Sequence, residues 1–172
     1  MSEIIPNLYI SDRSHVPFLY TDYDLIVNCT PDIPFPLFSN STIRIPVYDH
    51  PRYAEKMYSE IKRTRVLEYM HRFLGTNHTV LVHCHAGIQR SCAVVACYLV
   101  EYHGLTPNEA IEHIKEKRPV AFITGVNFKE TIEGVQKGNF MTNKGTKVQG
   151  ASGAEKCSTE GATLAQRASQ PL

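Results

Sequence analysis

Along the first 137 residues, short runs of Ile, Val and Leu alternate with stretches whose apolar residues recur at helical spacing. The runs at 8–11, 25–29, 43–47 and 80–83 are bounded by Asp, Asn, Thr, Pro or Gly and are too short for helices, so they predict four strands. Between the third and the fourth, Met57, Ile61, Leu67, Met70, Phe73 and Leu74 keep to one helical face, while Lys56, Glu60, Arg63, Glu68 and Arg72 occupy the others. This pattern predicts a single amphipathic helix ended by Gly75. Residues 91–102 are apolar on nearly every side, as in a helix buried at the centre of a domain.

Gly104 supplies a stop. Thr106-Pro107-Asn108-Glu109 then offers an N-cap, a Pro at the first helical position and a Glu able to close a capping box, which predicts a helix over 107–117. Arg118-Pro119 ends it, and 126–135 is weakly helical. Strands interleaved with helices give an α/β fold, with a central, mostly parallel sheet of four to five strands flanked by helices. The Pro-rich stretch 30–42 reads as a loop between the second and third strands.

Composition narrows the class. The 172 residues, 42% hydrophobic and 20% charged, are enough for one globular domain. After Gly138 the chain turns to Gly, Ser, Thr and Ala without a period, so we expect a domain at 1–137 and a disordered tail at 138–172. The tail carries +2 and the whole chain +1, which leaves −1 on residues 1–137 and no broad basic face for nucleic acid. No apolar run is long enough to span a bilayer, and residues 1–10 lack a basic start followed by an apolar run. The expectation is a monomeric protein of the cytoplasm or nucleus with no membrane partner. The five cysteines, at 29, 84, 92, 97 and 157, form neither an even set nor a CxxC pair, and read as reduced thiols. Cys92 and Cys97 lie within an apolar run and read as small buried hydrophobes.

Chemistry concentrates in Val80-Leu-Val-His-Cys84-His-Ala-Gly-Ile-Gln-Arg90-Ser91. A bare Cys-x5-Arg arises by chance roughly 0.4 times in a chain this long; adding His83, Gly87 and Ser91 lowers that to roughly one in ten thousand. A tight loop at a helix N-terminus points successive N–H groups inward, where the positive end of the helix dipole adds to them. Gly87 lets the backbone turn, and Arg90 offers a planar fork for two phosphate oxygens. The same positive groups favour the thiolate of Cys84. Zinc is disfavoured: His83, Cys84 and His85 are consecutive, and no second Cys or His cluster completes a tetrahedral set.

These residues resemble the cysteine-based protein phosphatases and, among them, the small (atypical) dual-specificity phosphatases. The His-Cys-x-x-Gly-x-x-Arg-Ser/Thr loop of that family matches residues 83–91 at every fixed position. Leu8-Tyr9-Ile10-Ser11, Val27-Asn28-Cys29-Thr30, Ile45-Pro46-x-x-Asp49, Tyr98-Leu99-Val100 and residues 110–118 look like its successive blocks, and the resemblance covers about residues 4–135. One departure is Gln89, where many relatives carry Ser; its side chain is expected to point away from the phosphate.

The resemblance implies the cysteine-phosphatase fold and a phosphorylated protein as substrate, with no metal or other cofactor. It implies that Cys84 attacks phosphorus to form a phosphocysteine, that Arg90 and the amides of His85, Ala86, Gly87, Ile88, Gln89 and Arg90 hold the phosphoryl oxygens, and that Ser91 stabilises the departing thiolate. Asp49 matches the general acid. On the residues alone, a lone Asp after a strand is equally a turn or capping residue, and His50 or Asp32 could take its place. Four other readings differ in class. An RNA 5′-triphosphatase would need a basic face. A phosphoinositide phosphatase would be expected to carry Lys in the loop. A phosphopeptide-binding module would not need Cys84, Arg90 and Asp49 together. A rhodanese-like sulfurtransferase would not explain Arg90. Cys29, at the end of a neighbouring strand, is a candidate redox partner for Cys84.

Overall fold

The computed structural model describes residues 1–15, 22–35 and 40–138, and the backbone of two short strands beyond them. Five strands form the main sheet: β1 (Ser2–Ile5), β2 (Leu8–Ser11), β3 (Leu25–Asn28), β4 (Ser41–Arg44) and β5 (Val80–His83), in spatial order β1-β2-β5-β3-β4. Within this sheet three of the pairings are parallel and the β1–β2 hairpin is antiparallel. Its turn places Asn7 at φ 66°, a left-handed conformation that Asn tolerates. At the centre, β5 pairs with β2 through Leu8↔Val80 and with β3 through Leu25↔Val80. All four residues of β3 and all four of β5 are buried, as expected for parallel strands covered on both faces.

Among the described residues there are five α-helices: α1 (Ala54–Thr64), α2 (Val66–Gly75), α3 (Arg90–His103), α4 (Pro107–Lys117) and α5 (Lys129–Gln136). Their buried residues join Leu8, Ile10, Leu25, Val27, Val80 and Val82 in one core, with α3 running through it. The alternate residues Ile26 and Leu81 face the other way and pack with Tyr9, Tyr23 and Phe35. Gly104, at φ 68°, ends α3, and Thr106 with Glu109 closes the capping box that starts α4, as the sequence predicts.

Three expectations need correction. The single helix after the third strand is two helices, broken at Arg65, which adopts φ 54°. A continuous helix carrying Met57 and Ile61 inward would next turn Thr64 and Glu68 to the core. One left-handed residue resets the phase so that Val66, Leu67 and Met70 are buried instead. That residue costs about 1–2 kcal/mol, offset in part by the Arg65–Glu68 bidentate contact at 2.8 and 2.7 Å. The strand expected at 43–47 lies at Ser41–Arg44. Pairing with β3 stops at Arg44↔Asn28; Ile45 and Val47 are apolar because they fill the core beneath a turn. The edge strand β1 was not expected: it is short and carries Glu3.

Phe140–Met141 (β6) and Lys147–Val148 (β7) pair antiparallel. The rest of the expected tail lies outside the described residues.

Candidate active site

The end of β5 delivers Cys84 into a loop that closes at the N-terminus of α3, because β5 and α3 are both fixed in the core. Cys84 is fully buried. Its Sγ accepts a hydrogen bond from the Gly87 N–H at 3.2 Å and lies 3.3 Å from Ser91 Oγ in the first turn of α3. Burial pushes the Cys29, Cys92 and Cys97 thiols up, away from ionisation.

Gly87 is the pivot of the loop, at φ 64°. A Cβ there would sit 2.6 Å from Arg118 Nη2 and 2.8 Å from the Ser11 carbonyl oxygen, so only glycine fits. Arg118, 6% exposed, donates Nε to the Gly87 carbonyl at 2.7 Å, which braces the outer side of the loop. The sequence showed Arg118 only as a helix terminator; its role depends on a partner 31 positions away.

Arg90 is 5% exposed. Its Nη1 donates to the Val47 carbonyl at 3.2 Å, and its Nε, 3.6 Å from Asp49 Oδ2, has no hydrogen-bond partner. A buried guanidinium N–H without an acceptor is costly unless an anion supplies one. Asp49 follows β4 on the loop 45–50 and accepts from Asn127 Nδ2 through Oδ1 at 2.8 Å. The structure therefore sets Cys84 against Ser91 and Arg90 against Asp49. His50 caps the turn Pro51–Tyr53, its Nδ1 accepting from Arg52 N–H at 3.1 Å. Asp32 lies beside the loop, its carboxylate oxygens 3.0 and 2.9 Å from His85 Nε2, and that bond holds its carboxyl below the usual range.

Among the remaining loop residues, Ala86 is exposed and Ile88 half-buried, its carbonyl accepting from Phe122 N–H at 3.0 Å. The Gln89 side chain turns into the loop 124–127. Asn127, Asp32 and Arg118 are the site neighbours that sequence reading missed or left without a partner. Among the described residues no group of three His, Cys, Asp or Glu is placed to hold a metal, and no helix is long and apolar enough to cross a membrane.

The buried Cys84 thiol, the Gly87 N–H that donates to it, and the buried Arg90 facing Asp49 at the start of α3 make up the candidate site of this α/β fold. The chain belongs to the dual specificity phosphatase catalytic domain family, which residues 10–137 match. Among curated relatives it is 32% identical over 122 residues to the tyrosine-protein phosphatase yvh1 of Schizosaccharomyces pombe, covering 69% of this chain and 36% of that protein. It is 27% identical over 125 residues to mouse dual specificity protein phosphatase 8, covering 69% and 18%. The chain thus spans about a fifth to a third of the length of these relatives. The human DUSP28 structure superimposes with TM-score 0.69 at 23% identity, covering 80% of this chain and 96% of that one, and shows the shared fold. A mouse putative dual specificity phosphatase complexed with zinc tungstate gives TM-score 0.68 at 25% identity, covering 80% and 86%.

Proposed function

We propose that this domain is a protein phosphatase that hydrolyses phosphotyrosine and phosphoserine or phosphothreonine through a phosphocysteine intermediate. One observation carries the reading: a buried Arg90 Nε without an acceptor, at the end of the loop that starts at the buried Cys84. A phosphoryl oxygen is the acceptor that completes it. In this reading the phosphate sits in the loop His85–Arg90 at the start of α3, where N–H groups and the helix dipole hold its equatorial oxygens. Cys84 Sγ attacks phosphorus as the ester bond breaks, and Asp49 gives the leaving oxygen its proton. Asp49 then takes a proton from water, which attacks the phosphocysteine and releases inorganic phosphate, with Ser91 Oγ donating to the departing sulfur. The tungstate of the mouse relative, a tetrahedral oxyanion, fits the same preference.

The test is phosphate release from phosphotyrosine and phosphothreonine peptides, a phosphoinositide, phosphatidylglycerophosphate and a triphosphorylated RNA end. The lipid arms are included because an Arabidopsis thaliana relative, 33% identical over 69 residues, is a phosphatidylglycerophosphate phosphatase. Both peptides are expected to be turned over fastest, and Cys84→Ser to abolish release. Activity that survives Cys84→Ser would overturn the mechanism; a lipid or RNA turned over faster than both peptides would overturn the substrate class.

A further inference from the structure

Gln89 stands at the junction of the phosphate loop and α3 and is 3% exposed, yet its side chain makes no cap bond to the helix it precedes. All of its hydrogen bonds go to one distant loop. Its Nε2 donates to Thr124 Oγ1 at 3.1 Å and to the Gly125 carbonyl at 2.6 Å, and its Oε1 accepts from the Asn127 N–H at 3.1 Å. Both donors of the amide and its acceptor oxygen are thereby engaged. Gly125, at φ 100°, holds a backbone conformation open only to glycine at low cost. A shorter side chain at 89 could not span these partners.

The loop so clamped ends at the residue that touches Asp49. Asn127 Nδ2 donates to Asp49 Oδ1 at 2.8 Å, while Asp49 Oδ2 faces Arg90 Nε at 3.6 Å. The two oxygens of the carboxyl are therefore not equivalent. Oδ1 accepts from the Asn127 amide, so the Asn127 side chain fixes the orientation in which the carboxyl presents Oδ2 toward Arg90.

We infer that Asn127 is a positioning residue that fixes the orientation of the Asp49 carboxyl, and that Gln89 sets the place of Asn127, registering the acid to the phosphate loop. The inference rests on Asp49 being the general acid. Side chain and backbone of Asn127 play separable parts: the backbone N–H is held by Gln89, and the side chain holds Asp49. Replacing the side chain alone therefore leaves the clamp intact.

The readout is the dependence of kcat on the leaving group, because a misplaced acid harms an ester that needs protonation more than one that does not. kcat is measured on a phosphothreonine peptide, whose alkoxide is a poor leaving group, and on an activated aryl phosphate. Asp49→Asn is measured alongside, with thermal melts on every variant. Asn127→Ala is expected to lower kcat on the peptide at least about fivefold more than on the aryl phosphate. Gln89→Ala should shift the ratio the same way. Asn127→Ala in the Asp49→Asn background should shift it no further, since both changes act through one group. Asn127→Asp keeps the size of the side chain while replacing its donor amide, and should reproduce the differential if the alanine variant folds poorly. Equal losses on the two esters in both Asn127 variants, with Asp49→Asn still discriminating, would overturn the inference and leave the acid assignment standing. Equal losses in Asp49→Asn itself would remove Asp49 from the mechanism, and this inference with it.

Discussion

Cys84 Sγ and Ser91 Oγ lie 3.3 Å apart across the closed end of the loop between β5 and α3, and neither residue has accessible surface. In the proposed mechanism this hydroxyl donates to sulfur as the sulfur leaves phosphorus. A hydrogen bond to a charged group contributes about 1.5–3 kcal/mol, or roughly 10- to 100-fold in rate. Ser91→Ala should therefore slow breakdown of the phosphocysteine by about that factor. With an activated aryl phosphate, rapid-quench kinetics should show a burst stoichiometric with enzyme, followed by a slow steady state. A variant with no burst and kcat within about twofold of the parent would deny Ser91 this role.

Gly87→Ala tests the loop as a shape. The added methyl meets Arg118 Nη2 at 2.6 Å and the Ser11 carbonyl oxygen at 2.8 Å, and φ of 64° is strained for any residue with a Cβ. Backbone cannot yield as a flexible side chain does. The expected outcome is a loss of about 1–3 kcal/mol of stability by urea unfolding and a lower kcat/KM for the phosphopeptides, because in the proposed mechanism the loop amides must converge on the phosphate. An unchanged kcat/KM would mean that the loop tolerates a different backbone path.

The two predictions rest on features of unequal visibility in the sequence. Cys84, Gly87, Arg90 and Ser91 of the candidate site were legible because the loop they form is built from neighbours along the chain: the spacing is the geometry. Asp49 entered as a candidate through the resemblance, since nothing local separates a candidate acid from a turn residue. Asn127 and Arg118 were hidden because their bonds to Asp49 and Gly87 span 78 and 31 positions. Gln89 was expected to turn from the phosphate, but where it goes depends on a loop with no periodicity. In the fold, strand and helix identities followed from burial patterns, whereas the break at Arg65 and the early end of β4 depended on which residues the core could accept. No window of local sequence contains that information.

Cys29 offers a third test. Asn28 and His83, which immediately precede Cys29 and Cys84, are partners in the parallel ladder, and the Cys29 N–H donates to the His83 carbonyl at 2.8 Å. Adjacent strands bring Cα atoms within the span a disulfide accepts. Mild hydrogen peroxide would oxidise the Cys84 thiolate to a sulfenic acid with release of hydroxide; attack by the Cys29 thiol then forms the disulfide and releases water. Since burial pushes the Cys29 thiol up, the second step should be slow. Peptide mapping should find a Cys29–Cys84 disulfide reversible by dithiothreitol, and Cys29→Ser should convert reversible inactivation into irreversible inactivation. Only sulfinic and sulfonic Cys84 in the parent protein would sink the idea.

His83, fully buried at the end of β5, gives the domain a pH-dependent stability. Burial pulls its imidazole down to about 4 from 6.5, and the positive charges of Arg44 and His85 add to that, against an opposing backbone hydrogen bond at Cys84. In the unfolded chain the ring binds a proton near pH 6.5, whereas in the folded chain it does so only near pH 4. The unfolded state therefore takes up more protons between these values. The stability is fully present above pH 6.5 and is lost progressively as pH falls toward 4, to a limit of about 3 kcal/mol. His103, also lowered by burial, adds in the same direction. The lowered carboxyls of Asp12, Asp24 and Asp32, whose ordinary value is 3.8, make their contribution below this window, and that of Glu109, ordinarily 4.5, acts only at its lower edge. Urea unfolding at pH 7, 6 and 5 should show the free energy falling over that range. His83→Gln should keep only the shallower slope due to His103, whatever its stability at pH 7. An unchanged slope in His83→Gln would assign the acid sensitivity to other groups.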